Sequence, residues 1–213
     1  MLGRVVDRVR AARSVAQVVV ATSVDASDDS VADFCTEGPI ACFRGNSTDV
    51  LDRYYQASRQ FAASNIVRIT GDCPLTDPEL VDKVVAAFAE GAYDYVSNLS
   101  PRSYPDGLDV EVFSFAALER AWHEARALYD REHVTPYLRG HPELFRMGNV
   151  EHSEDISRMR WTVDYPQDME FVRAVYDHMK RAQFGFAEVL ELLRKHPELK
   201  RINNGVESTS SIG

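Results

Sequence analysis

Short β-branched apolar runs alternate with helical stripes through the first hundred residues, and this alternation confines the chain to an α/β domain. Val5, Val6, Val9 and Ala12 recur at helical spacing, which predicts a helix over residues 2–13. Gln17–Thr22 reads as a strand buried on both faces, as in a parallel sheet. A helix from Asp28 to Glu37, stopped by Gly38-Pro39, leads to a strand at Ile40–Phe43. The apolar stripe of residues 49–64 predicts a helix, and Asn65–Thr70 the next strand. After the loop Gly71–Pro74, Thr76-Asp77-Pro78-Glu79 carries a cap, a first-turn proline and an acidic first turn. That helix runs to about Glu90, and Tyr93–Ser97 is a further strand.

From about residue 99 to 160 the rhythm changes. Ser100–Gly107 is turn-rich, Asp109–Phe113 reads as a strand, and Ser114 can cap a helix over 115–128. Arg131–Arg139 predicts a short helix and Leu144–Val150 an edge strand. Arg160–Asp164 reads as another strand, and helices are expected from Pro166 to about Arg181 and over Phe186–Lys195. The expectation is one domain over 1–200, with 99–160 covering the ligand end of the sheet and 201–213 a loose tail. The fold class is α/β, a mostly parallel mixed sheet with helices on both faces. In such sheets ligands bind beyond the carboxyl ends of the strands.

Composition closes off several functions. A net charge of −9 argues against a general nucleic-acid binder. No stretch approaches the roughly 20 apolar residues of a membrane span. Cys35, Cys42 and Cys73 are odd in number and widely spaced, which argues against a disulfide framework or a zinc cluster and for a reducing, cytoplasmic setting. There is no HExxH, no GxSxG and no GKS/T loop.

What remains is a set of polar residues at strand ends. Asp72 follows a strand between Gly71 and Cys73-Pro74, where a carboxylate either enters the ligand crevice or stabilises the turn. Asp164 has the same setting before Tyr165-Pro166, where helix capping is the alternative. Two such carboxylates suit Mg²⁺, which takes one or two of them together with phosphate oxygens. Gly45–Asp49 follows Arg44 and opens a helix, so it either offers backbone N–H groups to an anion or merely caps. Arg53, four beyond Asp49, fits an exposed helical ion pair. Asp109 and Glu111 share one strand face, available to sugar hydroxyls or to solvent. Arg131-Glu132-His133 forms a polar cluster at the start of a predicted helix.

Seven segments in order resemble one family. They are Val20–Ser23, Phe43–Gly45, Asp49–Tyr54, Arg68–Leu75 with Asp77-Pro78, Tyr104–Glu111, Arg131–Thr135, and Arg160–Asp164 followed by Pro166 and Asp168. The chain resembles the cytidylyltransferases that activate acidic sugars, on the branch typified by spore-coat polysaccharide biosynthesis protein F and related to the acylneuraminate and KDO enzymes. The resemblance implies a nucleotide-diphospho-sugar transferase (Rossmann-like) fold. It also implies transfer of CMP from CTP to a sugar acid with release of pyrophosphate, for surface polysaccharide or glycan synthesis. By motif it makes Asp72 and Asp164 the catalytic Mg²⁺ ligands and places Arg44, Gly45, Asp49 and Gly71 near the nucleotide. Tyr104, Asp109, Glu111, Glu132 and His133 would face the sugar. Homodimers joined through the cover segment are a further implication.

The sequence departs from the family at one place. Members begin with a strand and a basic, glycine-containing loop that holds the triphosphate, and this sequence starts just past it. Met1 is therefore expected to be an internal methionine of a longer protein, and activity of the chain as given is an open expectation. Two other classes stay in view. One is a non-catalytic relative that binds a partner or sugar. The other is a glycosyltransferase, disfavoured because no two aspartates stand in D-x-D spacing.

Overall fold

Helix and strand alternate through the first hundred residues as the spacing predicts. The computed structural model describes residues 1–204. Its first part runs α1 (Leu2–Arg10), β1 (Val19–Ser23), α2 (Asp29–Glu37), β2 (Ala41–Gly45), α3 (Val50–Gln60), β3 (Asn65–Arg68), α4 (Pro78–Gly91) and β4 (Tyr95–Ser97). The second part adds β5 (Glu111–Ser114), α5 (Phe115–Glu124), α6 (Leu128–His133), α7 (Pro136–Gly140), β6 (Met147–Asn149), α8 (Pro166–Met179) and α9 (Phe186–Lys195). No helix among the described residues is long and apolar enough to cross a membrane.

Strands β1 and β2 form a parallel pair, and the other four form a sheet in the order β3-β5-β4-β6. Strands β3, β4 and β6 run in one direction and β5 runs against them. Alternation along these strands sends side chains to two cores. Val96 and Val112 stand opposite each other on the face covered by α4, α8 and α9. Ile66, Phe113 and Tyr95 line up on the face covered by α3, α5 and α7. Burial on both faces is why these strands read as unbroken apolar runs.

The caps follow from local chemistry. The Asp77 carboxylate accepts from the Glu79 N–H at 2.8 Å, and the Ser114 hydroxyl from the Ala117 N–H at 3.1 Å. Helix α1 buries Val5, Val6 and Val9, and with them the whole of Arg8. The Arg8 guanidinium donates to the carbonyls of Thr76 at 2.6 Å, Phe184 at 2.7 Å and Ala182 at 3.4 Å. One buried side chain thereby fastens α1 to the start of α4 and to the turn before α9.

Several expectations are corrected. Segment 99–160 does not only cover the sheet, because β5 lies inside it, where Val112 and Phe113 are fully buried. Arg160–Asp164 forms no ladder beyond one bridge between Arg160 and Asp106. Its N–H groups are used by loops: Trp161 and Thr162 donate to the Asp106 carbonyl at 2.6 and 3.1 Å, and Val163 to the Asp72 carbonyl at 2.9 Å. The single helix expected over 131–139 is two, α6 and α7, broken at Val134. Val134 sits at φ 73°, ψ −55°, and the Thr135 N–H donates to the His133 carbonyl at 2.9 Å, a γ-turn costly for a β-branched residue. Its full burial holds it there. At the expected tail, Asn203 is buried, with its amide donating to the Arg160 carbonyl at 2.9 Å. Residues 205–213 of that tail lie outside the described residues.

Candidate functional site

The loops after β3 and before α8 meet through their backbones, beside Asp72 and Asp164. The Asp72 carbonyl accepts the N–H of Val163, the neighbour of Asp164, and lies 3.4 Å from the Thr162 hydroxyl. The Asp72 carboxylate accepts from the Thr70 hydroxyl. Cys73 beside it is buried, and burial first, then the Asp72 charge, pushes its thiol well above the usual range. The thiol is thus held protonated and is no nucleophile.

Around this pair stand Asp106, Asp109, Asp168, Arg102 and Arg160. Arg102 grips Asp109 with two bonds of 2.5 and 2.9 Å and lies 3.8 Å from Asp106. Burial pushes the Asp109 carboxyl up, although Arg102 opposes this. Arg160 reaches Asp106, Asp164 and Asp168 together. Asp168 is fully buried and also accepts the backbone N–H groups of Asp164 at 3.1 Å and Tyr165 at 3.0 Å. Burial alone would raise its carboxyl, but these bonds and Arg160 together hold it below the usual range. Gly107 makes the junction close. Its φ is 101°, and a Cβ there would come within 2.3 Å of the Thr162 nitrogen.

Five carboxylates against two guanidiniums leave this end of the sheet with a surplus of three negative charges. Hard oxygen donors in negative excess fit a divalent cation. Among the described residues, no group of three or more His, Cys, Asp or Glu is set to hold a metal unaided. Gly71 is exposed, and a side chain there would make only ordinary contact, 3.8 Å from Leu2. The fold does not demand that glycine, which leaves room for close approach of a ligand. Two cavities among the described residues, of about 280 Å³ beside Tyr93 and about 420 Å³ beside Trp122, are lined by other residues than these aspartates. The aspartate cluster is the better candidate because its groups carry chemistry.

The other expected site residues hold structural partners. Arg44 donates to the carbonyls of Ser23 at 2.9 Å and Asp25 at 3.0 Å and pairs with Asp29 at 2.8 Å. A Cβ on Gly45 would strike the Phe43 ring at 2.8 Å, so packing accounts for that glycine. Asp49 caps α3 through the Asp52 N–H at 2.9 Å, and its partner is Arg131 at 2.5 Å, not Arg53. Arg53 donates instead to the Asn46 carbonyl at 3.2 Å. Tyr104 is 4% exposed, takes a bond from Lys83 at 3.1 Å, and packs on His152 and Phe186.

Glu111 is buried at the ion pair with Arg68 and accepts from the Tyr95 hydroxyl at 2.6 Å. Burial would raise its carboxyl, yet Arg68 and the hydroxyls of Tyr95 and Thr135 together lower it. Glu132 and His133 are exposed at the end of α6, not at a helix start, with His133 against Tyr129. Their motif reaches inward through Arg131 and Thr135. The residues that sequence reasoning did not assign to the site are Arg102, Asp106, Arg160 and Asp168. Asp106, Arg160 and Asp168 lay in segments already singled out by the resemblance, whereas Arg102 offered only a charge in a turn-rich loop.

These shifts have a consequence for pH. Asp168 and Glu111 titrate lower in the fold than the ordinary values of about 3.9 and 4.3. Their stabilisation is full above those values and is lost as pH falls through the folded ones. Asp28, bonded by Thr22 and Ser23, extends the window down to about 2. The urea midpoint is expected to fall steadily between about pH 5 and pH 2.5, and a flat profile there would contradict the assignment.

Comparison with known proteins identifies the family and the fold. The cytidylyltransferase family model matches residues 1–202. An uncharacterized Methanocaldococcus jannaschii protein, MJ1063, is 36% identical over 206 residues, covering 96% of this chain and 84% of that one. The spore coat polysaccharide biosynthesis protein SpsF of Bacillus subtilis is 34% identical over 186 residues, covering 85% and 76%. A cytidylyltransferase from Leptospira borgpetersenii superposes with a TM-score of 0.91 at 29% identity, covering 97% of this chain and 87% of that one. A CMP:2-keto-3-deoxy-manno-octonic acid synthetase solved with CTP shares the fold, with a TM-score of 0.61 at 16% identity. The chain belongs to the cytidylyltransferase family.

Proposed function

We propose that the protein joins the cytidylyl group of CTP to a sugar acid, releasing pyrophosphate, in the synthesis of a surface polysaccharide or glycan. The observation that carries this reading is the junction of the Asp72 and Asp164 loops, made by the Val163 N–H on the Asp72 carbonyl at the carboxyl end of the sheet. Asp72 and Asp164 are the residues that would hold Mg²⁺. When bound, Mg²⁺ supplies positive charge that offsets the triphosphate and the charge developing on it. The sugar hydroxyl oxygen forms a bond to the α-phosphorus as the bond to pyrophosphate breaks and the hydroxyl proton passes to solvent, a reaction that needs positioning and charge more than covalent help.

The protein's own groups supply the positioning. Asp164 is set by the Asp168 carboxylate on its backbone N–H and by Arg160 on its side chain. Asp109, held by Arg102 at the edge of the cluster, is the acceptor proposed for sugar hydroxyls. Gly71 lets the nucleotide approach the backbone. The relatives named above support CTP as the nucleotide, and the name of SpsF supports a polysaccharide setting.

Calorimetric titration of the 213-residue chain with CTP, with and without Mg²⁺, tests the reading. Metal-dependent binding is expected, followed by pyrophosphate release when the correct sugar acid is supplied. A folded chain that ignores CTP, or one that transfers sugar from a ready-made nucleotide sugar without releasing pyrophosphate, would overturn it.

A further inference from the structure

Arg160 is 7% exposed, and every arm of its guanidinium meets a carboxylate. Nε donates to Asp168 Oδ1 at 3.0 Å, Nη2 to Asp168 Oδ2 at 3.0 Å and also to Asp164 Oδ2, and Nη1 to Asp106 Oδ2 at 3.3 Å. One positive charge is thus divided among three negative ones. The three are not equivalent. The Asp168 side chain is 0% exposed and that of Asp106 10%, whereas that of Asp164 is 30%. Asp168 is further tied by the Asn203 amide at 3.0 Å and by two backbone N–H groups. The partner with access to solvent is the carboxylate assigned above to the metal.

We propose that Arg160 is a positioning residue that acts as a resident counter-cation for Asp164, which a divalent cation must displace, so that Arg160 and its two inner aspartates set the metal affinity. The inference rests on the reading of Asp164 as a metal ligand. Turning Asp164 from the guanidinium to a cation does not strand a buried charge, because Asp106 and Asp168 keep Arg160 paired. The more negative charge those two present, the weaker the hold of Arg160 on Asp164. Removing charge from Asp106 must therefore tighten that hold and weaken metal binding. Replacing the five-donor fork by a lysine keeps the charge but leaves three donors, on a single nitrogen, for the five contacts that the guanidinium makes. The ammonium stays with the inner pair, and Asp164 is released.

Mn²⁺ is the probe, followed by the loss of its free electron-paramagnetic-resonance signal in the presence of CTP on the full chain. Folding of each variant is confirmed by circular dichroism. Asp106→Asn is expected to weaken Mn²⁺ binding on the order of fivefold, and Arg160→Lys to tighten it by a similar factor, the low end of coupling between linked groups. A general field effect gives the Asp106→Asn loss but leaves Arg160→Lys unchanged. It also fades in about 0.5 M salt, where the screening length falls to about 4 Å, whereas the contact effect persists. Should Arg160→Lys fail to fold, persistence of the Asp106→Asn loss at high salt decides, and its disappearance there overturns the proposal. Unchanged or weaker binding by folded Arg160→Lys overturns it too. Absence of Mn²⁺ binding in the unmodified chain, or binding indifferent to Asp72→Asn, instead overturns the metal reading on which it rests.

Discussion

Arg68→Met is expected to lower folding stability by about 3–5 kcal/mol, the cost of removing one partner of a buried ion pair. The reason is Glu111, whose side chain is 1% exposed between β3 and β4. Its neighbours in the register are Arg68 and Ser97, and the Tyr95 and Thr135 hydroxyls complete its bonding. Two hydroxyls cannot balance a buried carboxylate. Without Arg68 the acid takes up a proton, and the sign of its pH dependence reverses. In the unmodified chain Glu111 titrates low, so its contribution is lost as pH falls. In the variant its folded value lies above the unfolded one, so stability falls as pH rises through the folded value. The urea midpoint of the variant should therefore fall between about pH 5 and pH 8, a range over which these carboxylates leave the parent level. Arg68→Met with Glu111→Gln should regain most of the loss, because no buried charge is left alone. A single variant that melts like its parent would show that water reaches Glu111.

Local chemistry was legible in the sequence, and partners between distant elements were not. Asp77-Pro78 and Ser114 announce helix starts because a cap acts within three residues. Val96, Val112 and Phe113 announce strands because both faces are buried. Nothing local says that β5 enters between β3 and β4, since a pairing partner is chosen by the whole sheet. Nor does Arg131-Glu-His-Val-Thr135 reveal its break, because Val134 adopts a conformation valine avoids and only surrounding packing enforces it. Ion pairs misled for the same reason. Asp49 and Arg53 are spaced for a helical pair, yet Asp49 pairs with Arg131 from α6. The meeting of the Asp72 loop with the segment before Asp164 was legible in principle, because both follow apolar runs, although only the first run is a strand. The buried arginine that sorts the aspartates was only half legible, because Asp164 and Asp168 lie four and eight residues on while Asp106 is 54 residues away.

Asp72→Asn should abolish metal-dependent CTP binding while leaving the fold intact, and this separation makes it the sharpest test of the site. The amide retains an oxygen to accept the Thr70 hydroxyl. The bond that joins the two loops uses the Asp72 carbonyl, which the substitution does not touch. Stability should therefore change by no more than about 1 kcal/mol, the scale of a single hydrogen bond. The charge is what disappears. Changes to groups that merely orient a metal ligand weaken binding by about 10–100-fold, so loss of a ligand's charge should reach at least the upper end of that range. In calorimetry the variant should bind CTP equally weakly with and without Mg²⁺, matching the unmodified protein stripped of metal. Asp164→Asn should show the same loss, while its amide oxygen can still accept from Arg160 and Asp168 keeps that arm paired. Equal CTP affinity in Asp72→Asn and its parent at saturating Mg²⁺ would remove Asp72 from the site. The carboxylate cluster would then be a structural feature of the loop junction.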